Sequence, residues 1–184
     1  MSTKDLIYIA LFAAIYAALG LFPPILLPFL VGVPITAQSM GSMLAGSILG
    51  AKRGALASAL FLFLVAIGLP LLAGGRGGVG AFLGAGGGYM IGYPFAAFFV
   101  GCMVELFWQR LNFVTLVLIN AMGGIGIVYL FGIPWVAYIT QIPLFTALVG
   151  SLGFIVGDFL KVLIVSSIAL TVKKTIPLIF PKNR

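Results

Sequence analysis

The chain contains no histidine, a single cysteine, three acidic residues and only 7% charged residues in total. Each scarcity closes off a class of protein. Without His, and with Cys102 alone inside an apolar run, no Cys/His zinc cluster, no internal disulfide and no histidine acid–base pair is available. A soluble domain carries about 25% charged and about 45–50% apolar residues. Here 62% of residues are hydrophobic and the mean hydropathy is +1.28, so the polar residues that would cover a surface in water are missing. The G-x-x-x-x-G-K-[ST] phosphate loop is absent too, which means that the chain is not itself a P-loop ATPase. The formal charge of +7 does not mark a nucleic-acid binder, because the basic residues are spread mostly over connections and ends instead of forming one face.

What the sequence does have is a succession of apolar runs broken by Pro, Gly or charge: Leu6–Phe22, Ile35–Gly50, Gly54–Leu72, Tyr89–Trp108, Phe113–Phe131 and Leu144–Val172. At about 20 residues per crossing, six spans use about 120 positions and leave roughly ten per connection. The expected fold is an all-α membrane protein, one compact six-helix domain over residues 1–184, with no room for a soluble catalytic domain. Leu6–Phe22 is longer than the apolar core of a signal peptide and no clear cleavage site follows, so it reads as a retained first helix. Because Lys and Arg are held on the cytoplasmic side during insertion, an N-in, C-in topology accounts for Lys4, Lys52, Arg53, Arg110, Lys173, Lys174, Lys182 and Arg184. Two bases disobey it: Arg76 in the third connection and Lys161 inside the sixth span.

With that orientation the inner joints are tight, and the long connections Pro23–Pro34, Ala73–Gly88 and Gly132–Pro143 face outward. They contain Pro23, Pro24, Pro28 and Pro34 in the first, nine glycines in the second, and Pro134 and Pro143 in the third. These residue types stop helices or permit unusual backbone geometry, so the expectation is a ligand site built from loops over a helical cup.

Asp158 and Lys161 are three residues apart and share a helix face. Counting from Val172 at 1.5 Å per residue, Lys161 lies about 17 Å and Asp158 about 21 Å above the inner end, in the outer half of a hydrocarbon core about 30 Å thick. Two readings stand: an ion pair that locks helices together, or charges lining a ligand path. Gly75, Gly77 and Gly80 match G-x-G-x-x-G, but no strand precedes them and the match is spurious. Such a loop can still bring backbone N–H groups to a ligand, with Arg76 as an anion partner. Asn120 lies in the fifth span, where an amide needs a partner, and it either packs helices or touches the ligand. Tyr89, Tyr93, Trp135 and Tyr138 lie near the outer boundary and read, one by one, as an interfacial aromatic belt. Ala10, Ala14 and Ala18 form a smooth strip on the first helix, for internal packing or for docking a separate membrane subunit.

Several of these segments together resemble a known family. Val33-Pro34-Ile35-Thr36-Ala37-Gln38, Ala51-Lys52-Arg53-Gly54-Ala55-Leu56, Gly68-Leu69-Pro70, Ala73-Gly74-Gly75, Gly77-Gly78, Gly87-Gly88-Tyr89, Gly132-Ile133-Pro134-Trp135 and Gly157-Asp158-Phe159-Leu160-Lys161 occur in the order seen in the biotin-specific substrate-capture (S) subunits of energy-coupling-factor vitamin importers, the BioY family. Where that family often has Gly-Pro-Thr-Gly-Gly-Tyr, this chain reads Gly84-Ala85-Gly86-Gly87-Gly88-Tyr89, and Val156 stands where Pro is common.

The resemblance implies a non-enzymatic, multi-pass subunit of the prokaryotic plasma membrane. It would take biotin from outside and associate with a coupling transmembrane protein and two cytoplasmic ATPases, with no cofactor, metal or nucleic acid. It implies that Asp158 and Lys161 meet the ureido ring or the carboxylate, with Arg76 as the alternative carboxylate partner. The backbone of Gly74, Gly75, Gly87 and Gly88 would take the remaining polar end, Tyr89 and Trp135 would cover the apolar middle, and Asn120 joins the candidate contacts. It assigns Ala10, Ala14 and Ala18 to docking. The competing reading is a solitary facilitator or proton-coupled carrier built on the same charged pair.

Overall fold

The computed structural model describes residues 1–24 and 33–175, and within them the regular structure is helical. Most of the expected Pro23–Pro34 connection, with Pro28, and the basic residues Lys182 and Arg184 lie outside the described residues. Helix α1 spans Thr3–Leu19 and opens on a reciprocal cap, in which Ser2 Oγ accepts from the Asp5 backbone N–H while Asp5 accepts from the Ser2 N–H. That backbone donor holds the Asp5 carboxyl below its ordinary value. Asp5 also faces Arg53 at 3.4 Å, tying the start of α1 to the start of α3.

Helix α2, Ser39–Leu49, is short and rich in Gly, Ala and Ser, and from Gly41 to Leu49 every residue is buried. Its narrow surface lets it run through the centre, packed on α3 (Ala51–Ala66) and on α5 (Gly87–Leu106). Glu105, near the end of α5, accepts the Ala51 backbone N–H at 2.8 Å, so a carboxylate satisfies a donor at the start of α3 that has no partner within the helix. A one-turn helix α4, Gly80–Leu83, lies inside the Gly-rich stretch. Next, α6 (Phe113–Ala121) runs through a π-helical turn, Met122–Ile127, into α7 (Val128–Thr140). Finally α8 (Leu144–Ser151) leads through a 3₁₀ turn into α9 (Ile155–Thr175).

Three stretches among the described residues are long and apolar enough to cross a membrane: Gly87–Leu106, Phe113–Thr140 and Leu144–Thr175. The expected spans need correction at their ends. The second helix starts at Ser39 instead of Ile35, and the third ends at Ala66, so Leu69–Leu72 belongs to the loop. The third outer connection is not Gly132–Pro143, because α7 continues to Thr140 and carries Pro134 inside it, leaving Gln141–Pro143 as the joint. A proline is tolerated there because a helix held among neighbours loses one N–H bond without unfolding. Gly132 is kept close-packed for a different reason: a Cβ on it would fall 2.3 Å from the ring of Tyr89. Tyr89 and Tyr93 are buried inside the bundle and are not belt residues, whereas Tyr138 is 71% exposed.

Candidate functional site

A cavity of about 110 Å³ opens at the end of the bundle where α2, α5 and α9 begin. On the same measure one water needs about 10–15 Å³, so the space is large enough to take part of a small organic molecule. Its wall is assembled from the segment before α2 (Val33 to Thr36 and Gln38) with Ser39 at the head of that helix, Leu72 and Arg76 in the Gly-rich loop, Ala81, Gly84 and Gly86 around α4, Tyr89, Met90 and Tyr93 of α5, and Gly124, Val128 and Tyr129 on the α6–α7 helix. Phe154, Asp158 and Lys161 close it from the α9 side.

The charged pair is at the heart of this wall. Lys161 Nζ donates to Asp158 Oδ1 at 2.8 Å and to Ser39 Oγ at 3.1 Å, and both charged side chains are nearly buried, at 12% and 11% exposure. The second carboxylate oxygen, Oδ2, accepts from Tyr129 Oη at 2.7 Å. A carboxylate has about four lone-pair positions and an ammonium three donors. After these contacts the pair still offers acceptor capacity and one N–H to a molecule in the cavity. Among the described residues, no buried side-chain polar atom lacks a partner.

The Gly-rich loop is built, not slack. Leu72 and Arg76 face each other across a tight turn, with the Leu72 N–H donating to the Arg76 carbonyl at 2.9 Å and the Gly75 N–H to the Leu72 carbonyl at 2.9 Å. Gly74 and Gly75 take φ of +80° and +69°, which a side chain would resist, and this turn sets Arg76 at the cavity edge. Gln38 anchors the loop from below: its Nε2 donates to the Leu71 carbonyl at 3.0 Å and the Tyr16 carbonyl at 3.4 Å, while its Oε1 accepts from the Ala73 N–H at 3.0 Å.

Of the expected site residues, Asp158, Lys161, Tyr89 and Arg76 come together on the cavity wall. Gly74 and Gly75 shape the turn beside it, and the neighbouring Gly84 and Gly86 line it. Gly87 and Gly88 are the first residues of α5, packed against Trp135, whose Nε1 donates to the Gly84 carbonyl at 3.0 Å. Trp135 therefore braces this segment from α7 and is not a cavity-lining residue. Asn120 is fully buried at a seam of three helices, where its Oδ1 accepts from Ser47 at 3.0 Å and its Nδ2 donates to Ser166 at 3.1 Å. It too stands apart from the cavity wall.

Ala10, Ala14 and Ala18 lie exposed on the free side of α1, and α1 contributes nothing to the cavity. Sequence reasoning missed Tyr129 and Ser39 altogether and gave Gln38 no role. Gln38 had a signal, as the last residue of Val33–Gln38; Tyr129, in the run Ile127-Val128-Tyr129-Leu130, had none.

Residues 1–178 match the profile described as "BioY family". "Biotin transporter BioY" of Rhizobium etli is 45% identical over 184 residues, covering 97% of this chain and 98% of its own. "Probable biotin transporter BioY" of Bacillus subtilis is 41% identical over 177 residues, covering 95% and 92%. A solved structure described as the crystal structure at 2.1 Å of the S-component for biotin from an ECF-type ABC transporter superposes with a TM-score of 0.91 at 35% identity, covering 97% of both chains. These relatives are transporters, not enzymes.

Proposed function

This chain belongs to the BioY family, and from that premise we propose that it is the biotin-binding S subunit of an energy-coupling-factor importer in a prokaryotic plasma membrane. The observation that carries the reading is the buried Asp158–Lys161 pair opening into a cavity with acceptor and donor capacity to spare. Biotin's ureido ring presents two N–H donors and a polarised carbonyl. Asp158 accepts from a ureido N–H, and the remaining N–H of Lys161 donates to the ureido oxygen. Tyr89, Tyr93 and Phe154 flank the thioether ring and the valeryl chain, which are apolar. The carboxylate then lies toward Arg76 and the backbone N–H groups of the Gly-rich loop.

The six apolar segments cross the membrane with the N-terminus inside, since this orientation leaves only Arg76 and Lys161 unexplained by the retention of Lys and Arg on the cytoplasmic side. Arg76 lines the cavity and Lys161 is paired within it, which removes both exceptions. A coupling transmembrane protein docks on the Ala10, Ala14 and Ala18 strip, and two cytoplasmic ATPases supply the hydrolysis for which this chain has no phosphate loop.

Calorimetric titration of the detergent-purified protein with biotin tests the assignment. Saturable heat at micromolar protein is expected, and its absence from a sample shown to be folded would overturn it. Asn120→Leu separates packing from contact. The expected result is a lower thermal stability, by about 1–2 kcal/mol for a buried interhelical hydrogen-bond pair, with biotin affinity changed by less than about twofold. A tenfold loss of affinity would return Asn120 to the ligand contacts.

A further inference from the structure

The donor on Asp158 Oδ2 has no part in the reading above, and its origin on another helix gives it a distinct role. Lys161 sits on the same helix as Asp158, so their contact turns and shifts with α9 and cannot by itself fix the carboxylate against the rest of the cavity. Ser39 on α2 ties the ammonium across helices at 3.1 Å. For the carboxylate the cross-helix tie is Tyr129 of α7, whose hydroxyl donates at 2.7 Å, short as expected for an O–H bond to an ionised acceptor.

Tyr129 is itself held in place. Its ring meets Tyr89 edge-on, with centroids 5.8 Å apart and planes at 88°. The Tyr89 hydroxyl is bonded to Ser151 at 2.8 Å, and Ser151 Oγ donates to the Ala147 carbonyl at 2.7 Å. Helices α8 and α5 thus buttress, through side chains, the α7 tyrosine that reaches the carboxylate oxygen. The π-helical turn makes this possible. In an uninterrupted α-helix, residues nine apart are about two and a half turns apart and point to opposite sides. Asn120 and Tyr129 are nine apart, yet both point into the bundle, because the Met122–Ile127 turn absorbs an extra residue.

We propose that Tyr129 is a positioning residue for biotin: its hydroxyl fixes the rotation of the Asp158 carboxylate so that the free lone pairs face the cavity at the place where the ureido N–H arrives. This inference rests on the biotin reading. A binding group left about 1 Å loose by a missing support is the usual way for such a site to lose its ligand.

The test compares wild type, Tyr129→Phe, Asp158→Asn and the double variant by calorimetric titration with biotin, with thermal unfolding of each to show that it is folded. The expected result is that Tyr129→Phe weakens biotin binding about tenfold in the wild-type background but less than about twofold once Asp158 is Asn, because its effect passes through that carboxylate. Wild-type affinity in Tyr129→Phe overturns the proposal. So does an equal loss in both backgrounds, which would mean direct contact with the ligand or general packing. If Tyr129→Phe does not fold, Tyr129→Met fills the space without a donor and carries the same comparison. No binding by folded wild type would instead sink the biotin reading, and this inference with it.

Discussion

Asp158→Asn weakens biotin binding by at least about tenfold, and Lys161→Ala does the same. Both side chains are nearly withdrawn from solvent, so neither the loss of a charge nor the loss of a hydrogen bond is made good by water. A hydrogen bond to a charged group contributes about 1.5–3 kcal/mol, and each 1.4 kcal/mol is a factor of ten in affinity. Asp158→Asn replaces the charged acceptor for the ureido N–H with a neutral amide and leaves the Lys161 ammonium without its counter-charge. Lys161→Ala removes the donor and leaves a carboxylate held only by Tyr129.

Each single change also breaks a buried pair, which costs stability, so the measurement is affinity in samples whose thermal unfolding shows them folded. Combining Asp158→Asn with Lys161→Met removes both charges at once. Stability should partly recover while affinity stays low, which separates the two effects. Wild-type affinity in both single variants would make the pair a lock between α9 and α2 and nothing more.

Ala14→Trp is expected to abolish ATP-dependent biotin uptake in the assembled importer while leaving biotin binding by the purified subunit unchanged. The three alanines face away from the bundle, and α1 supplies no residue to the cavity, so the indole is accommodated in the isolated protein without disturbing the site. Helices in a membrane associate by close approach of small residues, and a single bulky side chain at such a contact holds the partner helix off. The readouts are uptake into proteoliposomes that contain the coupling protein and ATPases, and calorimetric binding by the subunit alone. Undiminished uptake would remove the docking role from this strip. Uptake by the chain alone, without ATPases, would favour a solitary carrier.

The general class was legible from what the composition lacks. A chain with so few charges can bury its backbone polar groups only in helices, given lipid as solvent and no sign of a barrel. The ion pair was legible because three residues along one helix is a local relation that any α-helix satisfies. The misplacement of Trp135 has an equally local cause. Gly132 and Pro134 break helices in water, and reading them that way produced a long loop where α7 in fact continues. Asn120 was correctly seen as an amide in need of partners, but which partners it has depends on Ser47 and Ser166, 73 and 46 residues away.

Lipid as solvent, the helical class, the pair of charges that do not belong in hydrocarbon, and the family can all be read from the order of residues alone. Those follow from composition, from spacing within one turn and from ordered motifs, none of which requires knowing how helices meet. What surrounds the pair depends on how the helices pack. Ser39 reaches Lys161 across 122 residues and Tyr129 reaches Asp158 across 29, and Tyr129 faces the cavity only because a π turn shifts the helix register before it. A carboxylate's remaining lone pairs are aimed by donors from other helices, and the packing that brings those donors together is a property of the whole bundle.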